Sequence, residues 1–322
     1  MYNIAIIGQK NDEHVKSVKY ELEKLNARAF ILDFFNFPRF NMLTLNEVPA
    51  YDDIHIPGEI NIGDVDLVFI RNFSADPSTT GKKIEDVKDK TLNEIRLLSL
   101  QFSLAKIMAD HVPVINDLGP SMFHRLKAYQ YYLLHSNGIS VPKTLVTNNL
   151  HKIRRFIVDL DRRVIAKPNM SGAEALMADT VFFEQNQHIL RSRPFIFQQY
   201  VNGRSFRAYL LGGKIISMGE IHYDRRFVDW RERAKSIVAY EPEEPLRRQI
   251  EKAVRTLGLA YCSVDIEYDD YTRKHYLLDF NPSGLFTGWS RLVKMNMAGN
   301  IAEYLIEVLK RDGNIWQDQL DQ

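Results

Sequence analysis

Apolar residues along this chain fall in short blocks whose spacing switches between two periods, and the switching predicts the elements. Asn3–Gly8 is a continuous apolar run closed by glycine. Val15, Val18, Leu22 and Leu25 then recur on one helical face. Ala29–Phe34 and Val65–Ile70 are further apolar runs, and Leu92, Ile95, Leu98, Phe102 and Ala105 form a second helical stripe. Val112–Ile115 closes the series. Strands alternating with helices predict a parallel sheet covered by helices, ending near Asn116. The glycine after the first strand stands alone in GQKNDEH, so no dinucleotide-binding fingerprint is present. The unit reads as a structural α/β layer that also supplies part of a substrate cleft.

The middle of the chain carries different punctuation. Leu126–Asn137 reads as a helix, and Gly138 suits its left-handed C-cap. Val141-Pro142 leads into a short strand, Thr144–Thr147. Leu150, Ile153, Phe156, Ile157 and Leu160 mark a helix that Thr147 or Asn148 caps. Strands follow at Arg163–Lys167 and Phe195–Val201, with the connection NMSGAEA between them. Phe206–Leu211 and Lys214–Tyr223 flank Gly212-Gly213, a strong hairpin signal. The charged run DRRFVDWRERAK reads as a loop or flap. Leu246, Ile250, Ala253, Val254 and Leu257 define a helix. Tyr261–Glu267 and His275–Phe280 are strands, and Ile301, Leu305, Val308 and Leu309 mark a last helix. The class is α/β with α+β subdomains, divided as 1–116, 117–201 and 202–322.

Composition narrows the function. At 322 residues two or three subdomains fit. Forty-two Lys and Arg balance 41 Asp and Glu, which argues against a whole-protein electrostatic grip on nucleic acid or an anionic membrane. The single cysteine, Cys262, excludes an intrachain disulfide framework and reads as a small core residue. MYNIAIIG is too short for a secretory h-region, and no stretch nears the roughly 20 apolar residues of a span. A cytoplasmic protein is expected, with no nucleic-acid or membrane partner.

The candidate chemistry lies in SVDIEY and YLLDFNPSG. Period-two geometry puts Leu277, Asp279 and Asn281 on one strand face, and Asp265 faces them if the two strands are antiparallel neighbours. Two carboxylates and an amide oxygen are hard ligands suited to Mg²⁺; the alternative is a polar sheet face with a carboxylate capping a turn. Lys127 on a helix and Lys167 at a strand end beside a small-residue loop are either phosphate contacts or solvated surface residues. Phe195–Val201 offers extended backbone to an adenine edge, or is a core strand. Arg207 on its strand, and Asp229 and Arg231 in the charged flap, suit a transferring phosphoryl group or a substrate carboxylate. Asp229 and Arg231 alternatively form a local surface pair of little energetic weight. No Ser-His-Asp or Cys-His arrangement is legible.

In order and spacing these features resemble the ATP-grasp superfamily, from about Val114 to Leu309. GISVPKTLVTNN is similar to the entry to its central subdomain, and VIAKP to the strand presenting the nucleotide lysine. FIFQQYVNGRSFRAYLLGGKII resembles the hinge and arginine strand, and SVDIEY with YLLDFNPSG the metal-binding strands. VDWRERAK, LGLAYCSVDI, DFNPSGLFTGW and Glu94 look most like the microviridin-type (graspetide) peptide maturases, relatives of the RimK-like glutamate ligases. The resemblance implies an ATP-grasp fold: a parallel α/β pre-grasp domain and two subdomains clamping ATP. It implies ATP contacts at Lys127, Lys167, Gln198, Gln199, Tyr200 and Val201, and Mg²⁺ at Asp265, Asp279 and Asn281. Arg207 would then steady the γ-phosphate, with Asp229 and Arg231 over the reacting groups. Ser205 departs from the pattern, standing where many relatives carry an acid for ribose; Asp279 replaces a commoner glutamate, and Gln199 stands where glutamate is frequent.

The implied activity is an ADP-forming carboxylate–amine or carboxylate–hydroxyl ligase, making side-chain ester or amide crosslinks in a ribosomal precursor peptide. Alternatives are a ligase adding a free amino acid such as glutamate to a protein or small acid, and a nucleotide-binding regulatory protein without catalysis. Partners would be a precursor peptide or a small carboxylate or amine, in a homo-oligomer, a dimer.

Overall fold

The structure, a computed structural model, describes residues 1–33, 55–56, 60–72, 99, 102–123, 125–169, 175–224 and 234–317. Phe34, most of the stripe at Leu92, Ile95 and Leu98, Glu94, the centre of NMSGAEA, and the flap residues Asp229 and Arg231 lie outside them. The chain divides into two compact units, Met1–Ser121 with Leu285–Gln322, and Met122–Gly284.

In the first unit the strands are β1 (Asn3–Ile7), β2 (Arg28–Leu32), β3 (His55–Ile56), β4 (Ile60–Asn61), β5 (Leu67–Ile70) and β6 (Val114–Ile115). β3 and β4 form a separate two-residue ribbon. The others make a wholly parallel sheet in the order β2-β1-β5-β6, as continuous apolar runs require when both faces are covered. Val15, Val18 and Leu22 are buried on one face of the helix Glu13–Lys24, whose N-cap Asp12 accepts from His14 N–H. Asp33, Arg71 and Asn116, just past three strand ends, are buried at the carboxyl edge of the sheet, where open parallel sheets commonly take ligands.

The last helices, Thr287–Val293 and Met297–Lys310, fall in this first unit rather than with residues 202–284. Met297–Lys310 packs against Glu13–Lys24. An amphipathic helix at the chain end shows which face it buries, not which distant surface receives it. Glu13 ties the junction by accepting from Thr287 Oγ1 and from Arg291 at 3.0 Å.

His14 sits in the same contact. It is buried, its ring meets Phe286 edge-on at 4.7 Å, and Nδ1 accepts the Phe286 N–H at 3.3 Å. Burial, followed by the charge of Arg71, lowers its pKa to about 4, against smaller opposing effects of Asp12 and Glu13. The unfolded chain therefore takes up this proton near pH 6.5 and the folded chain only near 4. The contribution of neutral His14 to stability is complete above pH 6.5, falls as pH drops, and is gone below 4, a change of up to about 3 kcal/mol. Urea unfolding at pH 7 and pH 4.5 should show this loss, and His14→Gln should flatten it; an unchanged slope in the variant would remove the assignment.

The second unit holds two antiparallel sheets. β7 (Thr144–Thr147), β8 (Val164–Lys167), β9 (Leu176–Met177) and β10 (Phe195–Gln199) pair in the order β7-β10-β8-β9. The helices Leu150–Asp159 and Thr180–Ser192 supply the rest of a core built on Ile153, Val164, Phe182, Leu190 and Phe197. The first helix is capped by Asn149, whose Oδ1 accepts from His151 and Lys152 N–H at 3.0 and 3.1 Å, one or two residues later than expected. Thr180–Ser192, with β9, occupies a region the apolar pattern leaves as a connection.

β11 (Gly203–Leu211), β12 (Lys214–Tyr223), β13 (Ala234–Ala239), β14 (Tyr261–Asp269) and β15 (Lys274–Asn281) pair in the order β13-β12-β11-β14-β15. Gly212 and Gly213 turn the β11–β12 hairpin at φ 55° and 82°, as that loop demands. β13, at the end of the charged run, is an edge strand with mostly exposed residues and so lacks an alternating signal. Phe206, Ala208, Val264, Ile266, Leu277 and Phe280 bury one sheet face against Leu134 of the helix Lys127–Ser136 and Leu246, Ile250 and Val254 of Glu244–Thr256.

Candidate nucleotide and metal site

The side chains that leave that core meet on the opposite face of the same sheet. Along β11, Phe206 and Ala208 enter the core, so Ser205, Arg207 and Tyr209 are turned the other way. The register sets Ser205 opposite Glu267, Arg207 opposite Asp265, and Tyr209 opposite Ser263, which in turn faces Asn281. Gly203 opens β11 where backbone comes very close; a Cβ there would lie 1.9 Å from the Tyr268 carbonyl oxygen.

A β-bulge completes the face. Val264 pairs with Phe280, but Ile266 pairs with Leu277, so Leu278 and Asp279 together oppose Asp265. Strict alternation would place Leu277 beside Asp279. The extra residue instead sends Leu277 and Phe280, three positions apart, into one core. Asp279 and Asn281 stay on the polar side.

The helix Lys127–Ser136 brings the remaining groups. Gln130 fixes it to β15, donating to the Phe280 carbonyl at 3.2 Å and accepting its N–H at 3.5 Å. Lys127 Nζ lies 2.9 Å from Asp279 Oδ2. From β8, Lys167 Nζ reaches 3.6 Å from Asp279 Oδ1 and donates to the Tyr131 hydroxyl at 2.8 Å. Tyr131 donates in turn to Asp279 Oδ1 at 3.3 Å. Burial, reinforced by the Asp279 charge, pushes the Tyr131 pKa upward, so it remains a phenol. Tyr131 is a site residue the sequence conceals within a Tyr-Tyr pair. Its signal is the four-residue spacing from Lys127, which stacks both on one helical face.

Arg207 meets Asp265 in a two-pronged pair, Nε to Oδ1 at 2.7 Å and Nη2 to Oδ2 at 2.9 Å. Burial works against its charge, and the carboxylate outweighs that, so its pKa stays above the usual arginine value. Ser205 is fully buried and donates to Glu267 Oε1 at 2.5 Å. The carboxylate beside Ser205 is therefore the half-buried Glu267, on the neighbouring strand. Asn281 Oδ1 accepts from Ser283 N–H at 3.0 Å, turning the chain at NPSG.

Residues 198–201 are placed more narrowly than extended backbone alone suggests. Gln198 is buried and donates to Thr144 Oγ1 at 2.9 Å. Gln199 N–H donates to Lys143 O at 2.8 Å, and Tyr200 N–H to Arg163 O at 2.9 Å, so these two amides are already committed. Val201 follows them and is buried. Lys127, Lys167, Arg207, Asp265, Asp279 and Asn281 are thus assembled by one unit.

The donor set fits a hard divalent cation. Asp265 pairs with arginine and Asp279 with lysine, and Asn281 adds an amide oxygen, a set of hard oxygen donors. Three cations on the same face suit the phosphate oxygens such an ion would share.

No protein-family model matches the chain. A curated protein of Methanocaldococcus jannaschii, tetrahydromethanopterin:alpha-L-glutamate ligase, is 22% identical over 228 residues, covering 65% of this chain and 76% of that one. Among solved structures, the ATP-grasp ligase PsnB complexed with minimal precursor matches with a TM-score of 0.80 at 23% identity, covering 95% of this chain and 99% of that chain. The macrocyclase MdnC bound with precursor peptide MdnA, from Microcystis aeruginosa MRC, matches with a TM-score of 0.78 at 18% identity over 94% and 99%. A Chryseobacterium gregarium RiPP-associated ATP-grasp ligase in complex with ADP and a leader and core peptide gives 0.77 at 18% identity over 95% and 97%. The fold of this chain is the ATP-grasp fold.

Proposed function

We propose that the protein is an ATP-dependent, ADP-forming ligase that joins a carboxylate to an amine or hydroxyl through an acyl-phosphate. The observation that carries this is the meeting of Lys127, Lys167 and Arg207 with Asp265, Asp279 and Asn281 on one sheet face. The similarity to named ligases supports the same reading.

In this mechanism a substrate carboxylate attacks the γ-phosphate and ADP leaves, giving the acyl-phosphate; an amine or hydroxyl held nearby then attacks the acyl carbon and loses its proton as inorganic phosphate departs. Mg²⁺ held by Asp265, Asp279 and Asn281 would neutralise phosphate charge. Lys127 and Lys167 place two ammonium groups beside Asp279, where they offset the charge that develops on the transferred group. Tyr131 fixes Lys167 by accepting a hydrogen bond from its ammonium and donating one to Asp279. Arg207, paired by both prongs with Asp265, would offer a fixed cation to the γ-phosphate. Positioning accounts for the rate, and no protein nucleophile enters. Asp229 and Arg231 would belong to the segment over the reacting groups.

The finer reading is a peptide maturase forming ester or amide crosslinks between side chains of one precursor peptide, as a dimer in the cytoplasm. Its support is that the chain matches ligases solved with precursor peptides over nearly their whole length. The second reading, addition of free glutamate to a protein or small acid, is favoured by the similarity to a glutamate ligase. Incubation with ATP, Mg²⁺ and either acidic, hydroxyl-bearing peptides or free L-glutamate separates them. Loss of about 18 Da per bond from a peptide supports the first, gain of a glutamyl residue the second, and no ADP in either defeats both.

A further inference from the structure

The stretch from Leu118 to Val158 contains no Asp or Glu, although 41 residues of the whole chain are acidic. An even spread would place about five there. It carries instead Arg125, Lys127, Lys143, Lys152, Arg154 and Arg155, with three histidines. Lys127 is engaged at Asp279; the side chains of Lys143, Lys152, Arg154 and Arg155 are exposed. This acid-free stretch builds the helix Lys127–Ser136, β7 and most of the helix Leu150–Asp159, which together enclose a cavity of about 510 Å³.

That cavity is apolar with a basic rim. Tyr132, Val146 and Phe156 line it, together with His135, Lys143 and Thr144. Tyr132 and Val146 are 65% and 40% exposed, far above what a closed core leaves. Tyr129 stacks on Tyr132 at 6.3 Å and extends the aromatic surface along the helix. β7 borders the cavity and is the edge strand of its sheet: β10 pairs with one side, and no strand among the described residues pairs with the other. Exposed edges are normally guarded by charge. Here the guard is all of one sign, so it repels basic strands and admits acidic ones.

We propose that this cavity docks an extended acidic peptide that adds to the edge of β7. Its backbone continues the β7-β10-β8-β9 sheet; the side chains of one peptide face enter the cavity, apolar ones against Tyr132, Val146 and Phe156 and carboxylates against Lys143 and His135. Tyr131 lines both this cavity and the nucleotide and metal site, but the docking rests on Tyr132, His135, Lys143 and Val146 and does not depend on the ligase reading.

The test is fluorescence anisotropy of a fluorescein-labelled eight-residue peptide of paired glutamates and paired valines, so that each face carries both, titrated with the full chain in the absence of ATP. Saturable binding that weakens with salt is expected, weaker by about tenfold or more in Lys143→Glu/His135→Glu, while thermal unfolding of the variant is unchanged. Tyr132→Ser should weaken binding while leaving its salt dependence intact. Absence of saturable binding, equal binding of the lysine–valine peptide, or indifference to the charge reversal would overturn the proposal. So would tighter binding of a labelled single-stranded oligonucleotide, which would reassign the basic face to nucleic acid. Because the assay reads binding alone, its failure leaves the ligase reading standing.

Discussion

Asp279→Asn should lower ADP formation by on the order of 10²–10³-fold, the largest effect of any single change at the site. The side chain has two duties on one face. It lies 2.9 and 3.6 Å from the ammonium groups of Lys127 and Lys167, and in the proposed mechanism it would be one of three oxygen donors for the cation. Removing its charge leaves two lysines, 11% and 9% exposed, facing each other without their shared anion. The loss should therefore persist at saturating Mg²⁺, whereas weakened metal affinity alone would be rescued. Initial rates across Mg²⁺ concentrations decide this, and wild-type rates in the variant would contradict the assignment of Asp279.

Arg207→Ala should have the second largest effect, and it should show in stability as well as in rate. Arg207 and Asp265 are 14% and 18% exposed, and the arginine fork uses both carboxylate oxygens. Its removal leaves an uncompensated carboxylate in a largely buried place, which costs about 3 kcal/mol or more and lowers Tm by roughly 5–10 °C. Asp265→Ala in the same chain should restore part of that stability, since the double variant removes both charges. Activity should stay low in both, because neither restores a cation for the γ-phosphate. Thermal unfolding of the four proteins measures the coupling. A double variant no more stable than Arg207→Ala would mean that the pair does not act as a unit.

How much of this was legible depends on whether a residue answers to its own strand or to a neighbour. Asp265, Asp279 and Asn281 were visible because period-two alternation survives at those positions, and Arg207 because Phe206 and Ala208 bracket it. Leu277 was not, since a bulge is a property of two strands together, and nothing in YLLDFN announces that Leu278 and Asp279 share one partner. The helix Thr180–Ser192 was obscured because its apolar residues encircle it: Phe182 and Leu190 are buried, while Val181 is 56% exposed. β13 hid for the opposite reason, having almost no buried residue. Tyr131 and His14 required three-dimensional neighbours, Lys167 and Asp279 for one and Phe286 for the other. The docking of the last helix in the first unit belongs with these, being a contact across most of the chain length.

The acyl-phosphate is the centre of the account, and isotope transfer reads it directly. An acceptor peptide labelled with ¹⁸O in its side-chain carboxylates, incubated with the enzyme, ATP and Mg²⁺, should yield ADP and inorganic phosphate carrying one ¹⁸O for each bond formed. Label recovered in AMP, with pyrophosphate released, or unlabelled phosphate accompanying product, would contradict it.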